Sequence, residues 1–189
     1  MLNAQTSEKK QDQTLVYFLA AIGLQSVLLF VGPAQRAYTY LTGTPATLKT
    51  VPVDPYDPVR GYSVTLNYDI SSPLTVPGVS PLSSSGFHEG QIVYVTLQKP
   101  TGNTAWTVVR YQSERPKNLP ADQLFLQGTF HNNRIRYGIE TYYVPEEKIQ
   151  EVNQAILKHP KDNLVDVRID AAGKAIPVQL RIAGKVYAY

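Results

Sequence analysis

Apolar positions change their period along the chain, and each change marks an element. From Leu15 to Val31 they run almost without interruption: LVYFLAAIGLQSVLLFV holds no charge, and only Gln25 and Ser26 break its apolar surface. As a helix this run is about 25 Å long, and Thr14 with Gly32, Pro33 and Ala34 brings it to about 30 Å, the thickness of a bilayer core. A helix buried in a soluble domain normally keeps a polar face, so a membrane span over 14–34 is the expectation. Past residue 60 the period falls to two. Val64, Leu66 and Tyr68 alternate with Ser63, Thr65, Asn67 and Asp69, which predicts a half-buried strand over 62–69. Gln91–Gln98 and Thr104–Gln112 read as strands around Pro100-Thr101-Gly102-Asn103, a turn composition. Leu124–Phe130 and Arg134–Val144 flank His131-Asn132-Asn133, and Leu164–Asp170 and Ala175–Ile182 flank Ala171-Ala172-Gly173-Lys174, so two further hairpins are expected. One helix, Glu146–Lys158, interrupts them. Ile149, Val152, Ile156 and Leu157 fall at helical spacing on its inner face, Pro145 sets its entry, Glu146 and Glu147 suit its N-terminal dipole, and Pro160 follows its end.

The predicted fold is mainly β, of the α+β kind: a single transmembrane helix, then an antiparallel β-sheet or small β-barrel with one packed helix. The chain divides into a tail over 1–13, the anchor over 14–34, an extended linker over 35–58 and a β-rich domain over 59–189. The linker rests on Asp54-Pro55 and Asp57-Pro58, because a residue before proline avoids helical geometry. Residues 71–90 (SSPLTVPGVSPLSSSGFHEG) are long for a structureless connection, which suits a solvated loop or a contact with a partner or the bilayer surface.

Two other readings of the apolar run compete with an anchor. A cleaved signal peptide would use Lys9 and Lys10 as its charged region, but its core would be longer than usual, and Pro33, Gln35 and Arg36 make a poor cleavage site. A core helix of a soluble protein would need a polar face. For an uncleaved anchor, the short tail with Lys9 and Lys10 favours a cytoplasmic N-terminus and an extracytoplasmic domain. Gly23 and Gln25 are candidate contacts with another membrane helix, since small and polar residues pack together in lipid.

Charge adds little to this picture. The net charge of +3 comes from scattered residues without a like-charge run, so no nucleic-acid surface is expected. With no cysteine, disulfides, thiolate metal sites and a cysteine nucleophile are excluded. No GxSxG, GxxxxGK[ST] or HExxH motif occurs, and His88, His131 and His159 lack ligand spacing, so neither a catalytic residue, a cofactor nor a metal is expected. Asp54 and Asp57 are too few for a Ca²⁺ ion, and Asp-Pro turns explain them. Alternation places Arg134, Arg136, Gly138, Glu140 and Tyr142 on one face, which predicts an ion pair across the sheet or a polar groove.

The run Asp54-Pro55-Tyr56-Asp57-Pro58-Val59-Arg60-Gly61 followed by Leu66-Asn67-Tyr68 resembles the opening of the soluble domain in the membrane-anchored GDYXXLXY family of bacteria. Arg136-Tyr137-Gly138-Ile139-Glu140-Thr141-Tyr142-Tyr143-Val144-Pro145-Glu146 is similar to that family's second signature, and the likeness covers nearly the whole chain. In register with Gly61, Leu66 and Tyr68, the family's acidic residue falls on Tyr62 and its tyrosine on Ser63, so this chain lacks that carboxylate. The resemblance implies a protein of the bacterial plasma membrane, or of a thylakoid where the source has one, working beside a multi-spanning membrane protein. It implies no biochemical activity. Three functions follow as expectations: a non-enzymatic accessory or assembly subunit of a membrane complex, an envelope module binding lipid or glycan in a tyrosine-lined pocket, and a hydrolase. The hydrolase would need two of Asp54, Asp57, Glu89, Glu140 and serines in one cleft.

Overall fold

The computed structural model describes residues 2–51, 63–73, 86–102 and 104–188, with side chains from Leu15 onward. The chain divides into two compact units, Met1–Leu41 and Thr42–Tyr189. Helix α1 (Leu2–Thr42) makes up the first and contains Pro33. That residue cannot donate to the carbonyl four residues earlier, yet the helix continues, because Ala34, Gln35, Arg36 and Ala37 are good or tolerable helix formers. It stops at Gly43. The expected linker is therefore corrected over 35–42, which is helical, and the domain begins before residue 59.

In the second unit the strands are β1 (Thr44–Val51), β2 (Ser63–Thr65), β3 (Asn67–Tyr68), β4 (Ile92–Gln98), β5 (Thr107–Gln112) and β6 (Gln123–His131). They continue with β7 (Arg134–Arg136), β8 (Thr141–Tyr143), β9 (Asn163–Ile169), β10 (Ala175–Ile182) and β11 (Lys185–Tyr187), and helix α2 (Glu146–Lys158) stands between β8 and β9. Every pairing is antiparallel. A five-stranded sheet has the order β11-β10-β9-β1-β3, a four-stranded sheet β5-β4-β6-β7, and β2 pairs with β8. The inward positions Leu48, Val95, Leu126, Val165 and Leu180 are all at 0% exposure within one core cluster.

All three expected hairpins are present. The sharpest is β6–β7, where Asn132 (φ 50°) and Asn133 (φ 60°) form a two-residue loop with left-handed geometry at both positions. A fourth hairpin, β10–β11, turns on Ala183 and Gly184. Helix α2 has the expected limits and buries Val152, with Ile149, Ala155 and Ile156 packed on the core. Leu157, expected on that face, is 60% exposed. At 100° per residue it lies well around the helix from Val152, and Ala155 fills the inward position instead.

The strand expected over Arg134–Val144 is broken. Gly138 takes φ 79°, a conformation that favours glycine, and the chain turns between β7 and β8. Burial follows Ile135, Tyr137 and Ile139, then shifts by one residue to Tyr142 and Val144. Tyr142 is therefore buried, not on the face of the exposed Arg134 and Arg136.

On the outer side of β1, β9 and β10, Asp166 accepts hydrogen bonds from Thr47 Oγ1, Arg181 Nη2 and Gln179 Nε2, each at 2.6 Å. Burial alone would raise this carboxyl, but those bonds and the guanidinium charge together hold it below the ordinary carboxylate range. The cluster ties three strands at neighbouring positions.

Candidate functional site

Where it is described, from Leu66 to Tyr68, the first segment that carries the family resemblance meets the second in space. β2 pairs with β8, so Ser63 faces Tyr143, Val64 faces Tyr142 and Thr65 faces Thr141. Leu66 N–H then donates to the Glu140 carbonyl at 2.7 Å, and β3 leaves to pair with β1. Tyr68 donates its hydroxyl to the Ile139 carbonyl at 2.8 Å. The Ile70 carbonyl accepts from two phenols, Tyr137 at 2.6 Å and Tyr111 at 3.2 Å. Tyr142 reaches the Tyr187 carbonyl at 2.6 Å.

These phenols are buried donors. Burial chiefly, with the Glu140 charge for Tyr68 and the Asp69 charge for Tyr111, pushes both far above the usual tyrosine value. Tyr137 is raised by burial first, then by Tyr111, Glu140 and Asp69. Tyr68, Tyr111 and Tyr137 stay protonated at physiological pH, and each of the four phenols holds one backbone carbonyl, which satisfies polar groups that burial would otherwise strand.

Among the described residues, Glu140 forms no ion pair across the sheet. Its Oε1 accepts the Tyr137 N–H at 2.6 Å and its Oε2 the Gly138 N–H at 2.9 Å. The carboxylate closes the turn that joins β7 to β8. Of the other expected residues, Leu66 and Tyr68 lie in the core, Arg136 and Tyr143 are exposed, and Pro145 and Glu146 open α2. Gly23 and Gln25 are exposed on α1. Asp54, Asp57, Arg60 and Gly61 lie outside the described residues. Glu89 contacts His131 Nδ1 and accepts the Asn132 N–H at 3.1 Å, which places it at the opposite end of β7 from Glu140. Those two carboxylates do not converge, and among the described residues no group of three metal-capable side chains forms.

Asp69 sits between Tyr68 and Ile70 with Oδ1 buried and unpartnered. Burial raises its carboxyl above the ordinary value of 3.8, against the backbone N–H groups of Ile70 and Asp69 and the charge of Lys49. A folded-state value above the unfolded one means that protonation favours the fold. Stability should rise as pH falls from neutrality through the raised value and level off below the unfolded carboxyl's own. Asp69→Asn, uncharged throughout, is therefore expected to melt higher than the parent at neutral pH, with the difference vanishing near pH 3.8. Melting temperatures of both proteins across a pH series check this; an equal difference at every pH would refute it.

A second feature is not built from the family segments. The connection from Ser113 to Pro120 between β5 and β6 walls a cleft of about 700 Å³, whose lining includes Thr96 of β4 and Arg110 of β5, paired in register. Lys117 stands on the wall, with Glu114 as the cleft's carboxylate. Arg115 is committed elsewhere: it donates to the Ala171 carbonyl at 2.8 Å and lies 5.5 Å from the Phe125 ring centroid. Thr96 is 1% exposed, and its Oγ1 has no hydrogen-bond partner. An adjoining hollow of about 280 Å³ shares Leu119 and Gln123 with the cleft and is also lined by Thr44 and Phe125. Sequence reasoning missed this site because its cations are scattered. The signal it held was Glu114-Arg115-Pro116-Lys117, a charged, proline-stiffened connection between two strands.

The fold defines a class: a mostly β domain following one helix, Leu15–Thr42, that is long and apolar enough to cross a membrane, its most apolar 18-residue stretch wholly unburied. The GDYXXLXY protein family model matches residues 25–180, and the chain belongs to that family. Comparison with curated proteins and with solved structures gives no significant match.

Proposed function

We propose that the chain is a non-enzymatic, membrane-anchored accessory or assembly subunit, whose β domain works outside the cytoplasm on an integral membrane partner. The observation that carries this reading is α1, exposed and apolar on every side through its central part. Tyr17 and Tyr38, both exposed, stand 21 positions apart, about 31 Å along a helix, the spacing of the two interfacial belts of a bilayer. The family residues support it too, because Leu66, Tyr68, Tyr137, Glu140 and Tyr142 are spent on holding the domain together. Lys9 and Lys10 in a short tail favour a cytoplasmic N-terminus. The membrane is then the bacterial plasma membrane, or a thylakoid where one exists.

Affinity purification of the full chain from membranes solubilised in several mild detergents tests this. A larger integral membrane protein should co-elute, and Gly23→Leu with Gln25→Leu should lower its recovery about threefold to tenfold, the weight of one or two polar or close-packing contacts in lipid. Recovery of the chain alone in every detergent would remove the subunit reading.

A further inference from the structure

We propose that the cleft between Arg110 and Lys117 binds a phosphate group, carried either by an anionic lipid headgroup or by a soluble phosphate ester. A volume of about 700 Å³ exceeds what inorganic phosphate alone would fill and falls within the range of ordinary small-ligand sites. Its charge is one-sided. Arg110 and Lys117 have no ion-pair partner among the described residues, and Glu114 is the one carboxylate on the lining. Phosphate suits two such cations because its oxygens accept several charge-assisted hydrogen bonds at once, and a guanidinium can meet two of them. Ser113 and Asn118 add a hydroxyl and an amide to the same wall.

Two further observations point to a ligand. Thr96 lines the cleft with an unpartnered hydroxyl, although buried polar groups are ordinarily satisfied. The wall is also held in place before any ligand arrives, since Arg115 is tied to Ala171 and packed on Phe125, and Phe125 meets Tyr94 edge-on at 5.8 Å. A prepositioned wall lowers the ordering cost of binding.

The test uses the full chain in two settings. In neutral-detergent micelles, glycerol phosphate is titrated by calorimetry. In nanodiscs, phosphatidylglycerol is compared with phosphatidylcholine by native mass spectrometry of retained lipid. Arg110→Glu/Lys117→Glu is expected to weaken binding at least about tenfold. Arg134→Glu/Lys161→Glu, an equal charge reversal on exposed residues outside the cleft, should leave it unchanged. If the reversal fails to fold, Arg110→Gln/Lys117→Gln takes its place. Saturable glycerol phosphate binding identifies a soluble ester, and retention of phosphatidylglycerol alone identifies a headgroup; either supports the site. No binding of either probe at tens of millimolar, or an equal loss in the control variant, overturns it.

Discussion

Gly128→Ala is expected to be the most damaging single-methyl change in the domain. Gly128 lies in β6 opposite Val93, beside the point where β7 begins to peel away towards the Gly138 turn. A Cβ there would stand 2.3 Å from Ile135 Cγ2, 2.9 Å from the Arg136 carbonyl oxygen and 3.0 Å from the Tyr137 ring. The Ile135 methyl is held at 1% exposure and the carbonyl is backbone, so neither can swing aside. Overpacking of this kind costs about 1–3 kcal/mol, and the backbone obstacle places it at the upper end. Lost chain entropy at glycine returns less than about 1 kcal/mol. For a domain of this size a net loss of about 2–3 kcal/mol lowers the melting temperature by roughly 5–10 °C. Emission from Trp106, the only tryptophan and 8% exposed, follows the transition. Adding Ile135→Ala should leave the double variant less destabilised than the sum of the two single changes, because the added methyl then enters space the isoleucine has vacated. A Gly128→Ala protein melting within a degree of the parent would refute the close-approach account.

The reason this contact was invisible in the sequence is general to the fold. Local signals carried the elements they belong to. Pro145, the paired glutamates and Pro160 bounded α2 correctly, and Asn132-Asn133 marked its turn because asparagine accepts left-handed geometry. Non-local pairing carried no such signal. Strand β1 falls within the stretch expected as an extended linker, although Ala46, Leu48 and Thr50 face inward at a period of two, because its partner β9 lies more than a hundred residues away. The face assignment of Tyr142 failed at the connection between β7 and β8, where the alternation holds through Ile139 and then shifts by one residue before Tyr142. The cleft was hidden for a related reason: Thr96, Arg110 and Lys117 become neighbours only when β4 pairs with β5 and the following connection folds back over them.

Glu140→Ala is expected to cost about 3 kcal/mol, and its pattern of rescue separates a structural carboxylate from a docking one. The side chain takes two backbone N–H groups, those of Tyr137 and Gly138, and hydrogen bonds to an ionised acceptor contribute about 1.5–3 kcal/mol each. Water can reach the exposed Gly138 but not the buried Tyr137 as readily, so the total falls near the value of one full bond and part of another. The loss spreads, because the same residue's carbonyl receives Leu66 N–H and the neighbouring Ile139 carbonyl receives the Tyr68 hydroxyl. Glu140→Gln retains one carbonyl acceptor but turns an amide donor towards the second N–H, and should lose about half as much. Amide hydrogen exchange should quicken first at Tyr137 and Gly138 in both variants. At a temperature low enough for both to remain folded, capture of the proposed membrane partner should match the parent, since the carboxylate faces its own turn. Normal stability in Glu140→Ala, or lost capture by a fully folded Glu140→Gln, would instead place Glu140 at an interface.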